Sequence, residues 1–152
     1  MSKNLSVIIP CLNEGNYVER SVSNIVDTIG LEQFEIIIVN SGRTETSLIK
    51  DLRCVKIHNS PFRLGAPEAR NLGSSKSSVF CDAHVEFKQG WGSRLLNDLE
   101  NNDSSIITPS IGIMGNEDTT ALGFKWRDIE MNIDWLPCFK SEVYEIPFAP
   151  LV

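Results

Sequence analysis

The chain has 152 residues, the length of a single domain, and its 41% hydrophobic and 22% charged residues are typical of an ordinary globular protein. The formal net charge of −6 argues against nucleic acid as a partner, because an acidic chain has no excess of basic side chains to displace counterions from phosphates. A local pocket could still bind a small anion. The apolar runs are too short for a membrane span, and the start of the chain does not have the pattern of a signal peptide. Four cysteines without a Cys-x-x-Cys pair favour reduced thiols and a cytoplasmic location.

The amino-terminal part predicts a strand and then a helix. Residues 5–9 are a short apolar run that is closed by Pro10, which is typical of a buried strand. Apolar residues then recur with the spacing of one helix face as far as Gly30, which suits a helix C-terminus. The residues on that face are Val18, Val22, Ile25, Val26 and Ile29.

The same alternation continues along the next part of the chain. Residues 34–39 are β-branched and nearly all apolar, which indicates a second buried strand. NSGRT at 40–44 follows as a turn, Thr44 can cap a short helix that reaches Leu52, and residues 54–57 follow as a third strand.

A third repeat of the pattern begins near Pro67, which suits the first turn of a helix that runs to about Leu72. Residues 79–81 predict a fourth strand, 91–99 a helix, and 106–107 the start of a fifth strand. Beyond residue 110 apolar and polar residues mix without a clean period, and no element is predicted there.

This alternation predicts an α/β fold in one domain spanning residues 1–152, with a mostly parallel, Rossmann-like sheet and helices on both faces. Ligands of such sheets bind outside the carboxyl ends of the strands. Three polar clusters follow strand ends and are expected to converge on one rim. They are Asn13-Glu14, Asn40-Ser41-Gly42 and Asp82-Ala83-His84.

Asp82 and His84 are candidate metal ligands. Residues two apart in an extended segment point to the same side, so both side chains could reach one point. A carboxylate and a neutral imidazole suit a divalent ion such as Mn²⁺, and suit Ca²⁺ less well. Two ligands are too few for a structural zinc site, so water or the phosphates of a ligand would fill the other positions. The alternative is that Asp82 caps a turn and His84 is an exposed loop residue.

The other polar residues near the rim have two interpretations. Asn13, Glu14 and Asn40 could hydrogen-bond a base or a ribose, or they could serve only as caps and turn residues. Arg63 and Arg70 flank a predicted helix start, where a guanidinium beside free backbone N–H groups could hold a diphosphate. Arg70 fits better as a solvated side chain.

The remaining residues with metal-binding or stacking side chains are expected to be structural. Cys11, Cys81 and His84 could together form a zinc site, but buried core thiols are more common. His58 is expected on the surface. The tryptophans are expected to be packing anchors rather than platforms for sugars, and they are Trp91, Trp126 and Trp135.

Four segments, in this order, resemble the GT-A glycosyltransferases of the family 2 type. SVIIPCLNEGNYVERSVSNI is similar to that family's opening strand, nucleotide turn and first helix, and EIIIVNSGRTE to its VVDDGSTD segment. RLGAPEARNLGSSKSSVFCDAH resembles the glycine–arginine helix that leads to the Asp-x-Asp metal motif. Asp-x-His in place of Asp-x-Asp, DAHVEFKQGWGSRLL and GFKWRDIEMNIDW resemble the polypeptide N-acetylgalactosaminyltransferases. The resemblance covers nearly the whole chain.

The resemblance implies a nucleotide-diphospho-sugar transferase fold, a nucleotide-sugar donor that is most often a UDP-sugar, and a divalent metal, usually Mn²⁺ with Mg²⁺ as the alternative. The metal, helped by an arginine, would stabilise the negative charge that develops on the leaving diphosphate. By the same resemblance the nucleotide-binding residues would be Pro10, Asn13, Glu14, Asn40, Arg63 and Asp82, and the metal ligands would be Asp82 and His84.

Two departures from the family pattern matter. Asn40-Ser41 stands where the family usually has an aspartate pair, so a charged acceptor is lost and donor affinity or base preference can differ. The chain also stops before the family's Gly-Gly segment, acceptor-binding half and catalytic base. We therefore expect a truncated donor-binding half, assign no catalytic base and no acceptor, and expect exposed apolar surface that favours homo-oligomers.

Three functions compete. The first is a glycosyltransferase that transfers a hexosyl or N-acetylhexosaminyl group from a nucleotide sugar. The second is a non-catalytic module or degenerate relative that binds the nucleotide sugar without turnover. The third is a flavodoxin-like or dinucleotide-binding Rossmann domain, which the sequence disfavours because CLNEGN stands where Gly-x-Gly-x-x-Gly would follow the first strand.

Overall fold

The computed structural model describes residues 5–42, 44, 46–73, 78–101, 106–113 and 116–137. The chain divides into two compact units, Met1–Arg94 and Leu95–Val152. Among the described residues, none of the helices is both long enough and apolar enough to cross a membrane.

Among its described residues, the first unit has four parallel strands and two complete helices, and a third helix begins at its end. In chain order these are β1 (Leu5–Cys11), α1 (Tyr17–Thr28), β2 (Phe34–Asn40), β3 (Val55–Asn59), α2 (Ala66–Gly73), β4 (Ser78–Phe80) and α3 (Trp91–Asn101).

The four strands form one parallel sheet in the order β3-β2-β1-β4. β1 lies at its centre, pairs with β2 from Leu5↔Phe34 to Cys11↔Asn40, and is buried along nearly its whole length. The predicted apolar face of α1 is buried at Val18, Val22 and Ile25 and at Ile29 just after the helix, whereas Val26 is exposed at the edge of that face. Each fully buried aliphatic side chain of this core contributes about 1.5–3 kcal/mol. The predicted α/β fold with a mostly parallel sheet is confirmed.

The predicted helix from Thr44 to Leu52 is wrong. Residues 47–51 form successive turns, in which the N–H groups of Ile49 and Lys50 both donate to the carbonyl of Thr46. The Leu48 N–H donates instead to the Glu19 carboxylate of α1, at 2.8 Å. One side chain from α1 therefore satisfies a backbone group here, and so short a segment gains little from starting a helical ladder of its own.

The second unit contains an antiparallel sheet in the order β5-β6-β7, built from β5 (Ile111–Ile113), β6 (Asn116–Trp126) and β7 (Ile133–Pro137). The predicted strand at residues 106–107 is wrong, because those residues belong to no strand and β5 begins later. The β6–β7 loop is built on Asp128, whose carboxylate accepts hydrogen bonds from the N–H groups of Glu130 and Asn132.

The three tryptophans do not behave alike. Trp91 is buried and its ring stacks on Phe87 at 4.1 Å, so its expected packing role is confirmed. Trp126 and Trp135 contact the Phe124 ring edge-to-face, but their side chains are 44% and 55% exposed. Trp126 and Trp135 are therefore surface residues that are only partly packed, and they are not buried packing anchors.

The close packing of α2 on the sheet depends on a glycine. A Cβ atom at Gly73 would lie 2.7 Å from Cγ2 of Ile8, and Ile8 is fully buried in the central strand. We expect Gly73→Ala to lower the free energy of unfolding by about 1 kcal/mol, because overpacking costs about 1–3 kcal/mol and the gain in helix propensity offsets at most about 1 kcal/mol of it.

Urea unfolding followed by circular dichroism measures this change. Gly65→Ala is the matched control, since its added Cβ would meet its nearest neighbours at an ordinary 3.7 Å. A Gly73→Ala protein as stable as wild type would show that α2 can move off the sheet at little cost.

Candidate functional site

A cleft of about 460 Å³ opens at the carboxyl ends of β1, β2 and β4, and we call it the rim cleft. Its volume falls in the range of small-molecule sites. It is lined by the turn after β1, the end of β2, the start of α2 and the residues after β4. The lining residues that bear on chemistry are Pro10, Glu14, Ser41, Arg63, Gly65 and Asp82.

Four of the seven predicted site residues line this cleft: Pro10, Glu14, Arg63 and Asp82. His84 lies beside it, with its Nδ1 atom 3.8 Å from Oε2 of Glu14. The structure thus brings residues from three distant parts of the chain to one rim, while their roles toward a ligand stay predictions.

The turn after β1 is shaped by left-handed backbone. Asn13 has φ of 58° and Gly15 has φ of 57°, a region that asparagine and glycine enter most readily. Gly42 packs against this turn so closely that a Cβ atom there would lie 2.7 Å from Oδ1 of Asn13 and 3.0 Å from its backbone nitrogen. Asn13 therefore shapes the wall of the rim cleft rather than lining it.

Asn40 is used inside the protein. Its side chain is 7% exposed, its Nδ2 donates to Oδ1 of Asn59 at 3.1 Å, and its Oδ1 accepts the Gly42 N–H at 3.1 Å. These bonds tie the ends of β2 and β3 together and hold the turn. The turn interpretation of Asn40 is observed here, and its contact with a base stays a prediction.

Arg70 has a role that the sequence interpretation missed. Its side chain is only 20% exposed, and its Nη2 lies 3.9 Å from Oδ1 of Asp82, so the expectation of a solvated arginine is wrong. The neighbouring Ala69 and Gly73 are the buried residues of α2, which puts Arg70 at the edge of the packed face. In the sequence, the four-residue spacing of the small residues Ala69 and Gly73 was the signal that this face of α2 is packed and that Arg70 lies at its edge. The positively charged Arg70 side chain thus lies next to Asp82.

The zinc alternative is wrong. Cys11 and Cys81 are both buried, and the part of the chain that the structure describes contains no group of three or more His, Cys, Asp or Glu side chains able to hold a metal. Burial raises the pKa of the Cys81 thiol to about 12, with the charge of Asp82 adding to the effect, and burial also raises the pKa of Cys11. Both thiols are protonated core groups, as the more common interpretation expected.

Asp82 and His84 offer the donor types of an open divalent cation site, and their role as ligands of one ion stays a prediction. Both side chains are partly exposed after β4, and they offer one carboxylate and one imidazole. This donor set suits Mn²⁺ and leaves coordination positions for water and for the oxygens of a ligand. It does not suit a closed structural site, which would need four protein ligands.

Comparison with known proteins identifies the family. Residues 6–143 match the family model for glycosyl transferase family 2. The chain belongs to this family. The resemblance that its four sequence segments predicted is therefore confirmed.

Several curated proteins are similar to this family 2 chain. It is 29% identical to polypeptide N-acetylgalactosaminyltransferase 15 of Homo sapiens, over 87% of this chain and 24% of that protein. It is 29% identical to an uncharacterized glycosyltransferase of Haemophilus influenzae, over 82% of this chain and 43% of that protein. A putative inactive polypeptide N-acetylgalactosaminyltransferase 12 of Drosophila melanogaster is 36% identical over 53% of this chain and 15% of that protein. The chain thus spans less than half the length of these relatives.

Solved structures show the same fold. The crystal structure of S. aureus TarS 1-349 has a TM-score of 0.63 at 16% identity, over 83% of this chain and 40% of that one. The same protein in complex with UDP-GlcNAc has a TM-score of 0.62 at 14% identity, over 83% of this chain and 39% of that one. The family 2 chain therefore has the GT-A-like fold that was predicted.

The buried thiols give a test of how firmly the end of β4 is packed. We expect iodoacetamide at pH 8 to modify Cys54, which is partly exposed, at least about 100-fold faster than Cys81. The thiolate is the reactive form, and a pKa of about 12 leaves very little thiolate on Cys81 at that pH.

Peptide mass mapping over time measures the two rates, and the unfolded chain in guanidinium is the control in which they should become similar. Early modification of Cys81 in the native protein would show that the end of β4 opens to solvent and would contradict its assignment to the core.

Proposed function

We propose that this chain binds the nucleotide diphosphate of a sugar donor in the rim cleft, and that the protein to which it belongs is a glycosyltransferase with a UDP-sugar donor. The observation that carries the proposal is that Arg63, the start of α2 and Asp82 line one cleft at the carboxyl ends of the parallel strands. Membership of glycosyl transferase family 2 and the likeness to a protein crystallised with UDP-GlcNAc support the same donor class.

The diphosphate would lie at the positive side of the cleft. α2 begins at Ala66, and Gly65 and Ala66 line the cleft, so the start of a helix faces the space that a ligand would fill. The helix dipole favours an anion there, and the Arg63 guanidinium adds a full positive charge. Pro10 and Glu14 line the same cleft and would contact the base and ribose, with Asn13 and Asn40 holding the turns that carry them.

A divalent cation would be held by Asp82 and His84, with Mn²⁺ preferred and Mg²⁺ as the alternative. When bound, it would supply positive charge against the diphosphate as the bond to the sugar breaks. Arg70 lies beside Asp82 at 3.9 Å and balances part of the carboxylate charge. No residue of this chain is assigned as the catalytic base.

The second candidate is a module that binds the nucleotide sugar without turnover. It is favoured by Asn40, because this amide is hydrogen-bonded internally at the position where the family resemblance implies a base-contacting aspartate. Release of UDP from UDP-GlcNAc or UDP-GalNAc, measured by ion-exchange chromatography after incubation with Mn²⁺ and candidate acceptors, distinguishes the two. Binding without release supports the module.

We expect Mn²⁺ to strengthen UDP binding, and we expect Asp82→Ala to weaken the Mn²⁺-dependent binding at least tenfold, which is about 1.4 kcal/mol. His84→Ala should act in the same direction. Calorimetric titration of UDP with Mn²⁺ and with EDTA measures both effects.

The matched controls are Asp51→Ala and His58→Ala, whose side chains are exposed and do not line the rim cleft, and both should bind as wild type. UDP binding that is the same with and without Mn²⁺ would contradict the cation site alone. Failure of wild type to bind UDP under either condition would contradict the proposed donor site.

The role of Arg63 is tested by comparing two ligands. We expect Arg63→Met to weaken binding of UDP about tenfold and to leave binding of uridine unchanged, because the lost guanidinium would contact only the diphosphate. Ligand-observed NMR measures both affinities, and Arg53→Met, at another exposed arginine, is the control. An equal loss for uridine and UDP would show that Arg63 shapes the cleft instead of binding the diphosphate.

A further inference from the structure

The backbone after β4 is bound by a side chain of α1. The Ser21 hydroxyl oxygen lies 2.9 Å from the carbonyl of Ala83 and 3.0 Å from the carbonyl of Val85, and it accepts the Val85 N–H at 2.9 Å. A hydroxyl has one proton, so it donates to one of the two carbonyls at a time while its oxygen accepts the N–H. Ser21 is 2% exposed, so water cannot readily replace these bonds.

A second α1 side chain repeats this arrangement farther along. Oδ1 of Asn24 accepts the Phe87 N–H at 2.6 Å, and its Nδ2 donates to the Phe87 carbonyl at 3.3 Å. Ser21 and Asn24 are three residues apart and so lie on one face of the helix. Ser21 and Asn24 form with the backbone of Val85 and Phe87 the hydrogen bonds that a neighbouring strand would form. We call these two side chains of α1 the α1 clamp.

The chain stays attached to α1 beyond the clamp. The Gly90 N–H donates to the carbonyl of Thr28 at 2.6 Å, and the N–H groups of Gly92 and Ser93 donate to the carbonyl of Ile29 at 3.1 and 3.3 Å. The segment after β4 is therefore held at its beginning, in its middle and where α3 begins.

The clamp acts on alternate residues. Ala83, Val85 and Phe87 are the residues held against α1, and they are buried or partly buried. His84, between them, has a side chain that is 56% exposed and lies 3.8 Å from Glu14 at the rim cleft. Ala83 and His84 form a bend, so the hydrogen bonds to Ala83 and Val85 fix the backbone on both sides of His84.

We propose that Ser21 and Asn24 are positioning residues for the pair Asp82 and His84. They touch neither the nucleotide nor the cation. They fix the backbone from which both ligand side chains project, so that the carboxylate and the imidazole are held in place before a ligand arrives. Sites of this kind lose affinity when their supporting residues allow movements of about 1 Å. The inference rests on the proposed cation site.

The test measures cation binding by the loss of the free Mn²⁺ signal in electron paramagnetic resonance, beyond the loss that the same concentration of UDP causes without protein. Ser21→Ala is expected to weaken Mn²⁺ binding at least fivefold while UDP binding in EDTA stays within twofold of wild type. Ser21→Thr keeps the hydroxyl and should recover most of the affinity. Ser23→Ala, at an exposed serine of the same helix, should bind Mn²⁺ as wild type.

All titrations are made well below the melting temperature of every variant. Asn24 is only partly buried, so Asn24→Ala applies the same test if Ser21→Ala does not fold. Wild-type Mn²⁺ affinity in both alanine variants, or an equal loss of UDP binding in EDTA, would overturn the positioning role and leave the proposed function intact. Absence of Mn²⁺ binding by wild type would instead refute the cation site, and the positioning role with it.

Discussion

The parallel pairing of β1 with β2 and β4 sets the position of every group at the rim. β1 and β2 end together at Cys11↔Asn40, so the turns that follow them start at the same level. β4 pairs through Ile8↔Phe80, and continuing that register by two residues places Asp82 level with Pro10. A slip of one residue would exchange the two faces of the strand and move Asp82 away from the cleft. Burial of β1 makes that slip costly, because its apolar side chains would lose their places in the core.

α1 is the second element on which the rim depends. Its apolar face packs in the core, while its polar side chains form hydrogen bonds with backbone groups of two other segments. Glu19 holds the turns after β2 through the Leu48 N–H, and Ser21 and Asn24 hold the segment after β4. One rigid helix thus positions loops that would otherwise need their own secondary structure. Because such bonds to buried backbone are costly to break without replacement, the loops share the order of the helix.

The sequence was sufficient to predict the sheet and the general place of the site. Apolar runs and helical spacing identify the strands and α1, and the topology of a parallel sheet then brings Glu14, Ser41 and Asp82 to one edge. The sequence did not indicate the hydrogen bonds between distant parts of the chain. The turns at 47–51 depend on Glu19, a residue 29 positions away from Leu48, and nothing local indicates that bond. Arg70 was misjudged because its partner Asp82 lies beyond the next strand, and nothing local to Arg70 indicates the pair. The antiparallel strands β5 to β7 mix polar and apolar residues without a regular alternation, and a loop built on Asp128 joins two of them. No strand pattern could therefore be recognised in this part of the sequence.

The way in which α1 satisfies the backbone after β4 also affects how this surface can evolve. The bonds of Ser21 and Asn24 go to main-chain atoms, so they do not depend on which side chains stand at 84, 86 and 88. Those positions are exposed, and substitutions there would alter charge and ligand type without disturbing the scaffold. The same architecture can therefore present an imidazole, a carboxylate or an uncharged group at position 84. Because α1 already holds the backbone of this segment in place, few mutations at these positions are needed to change the specificity of this edge.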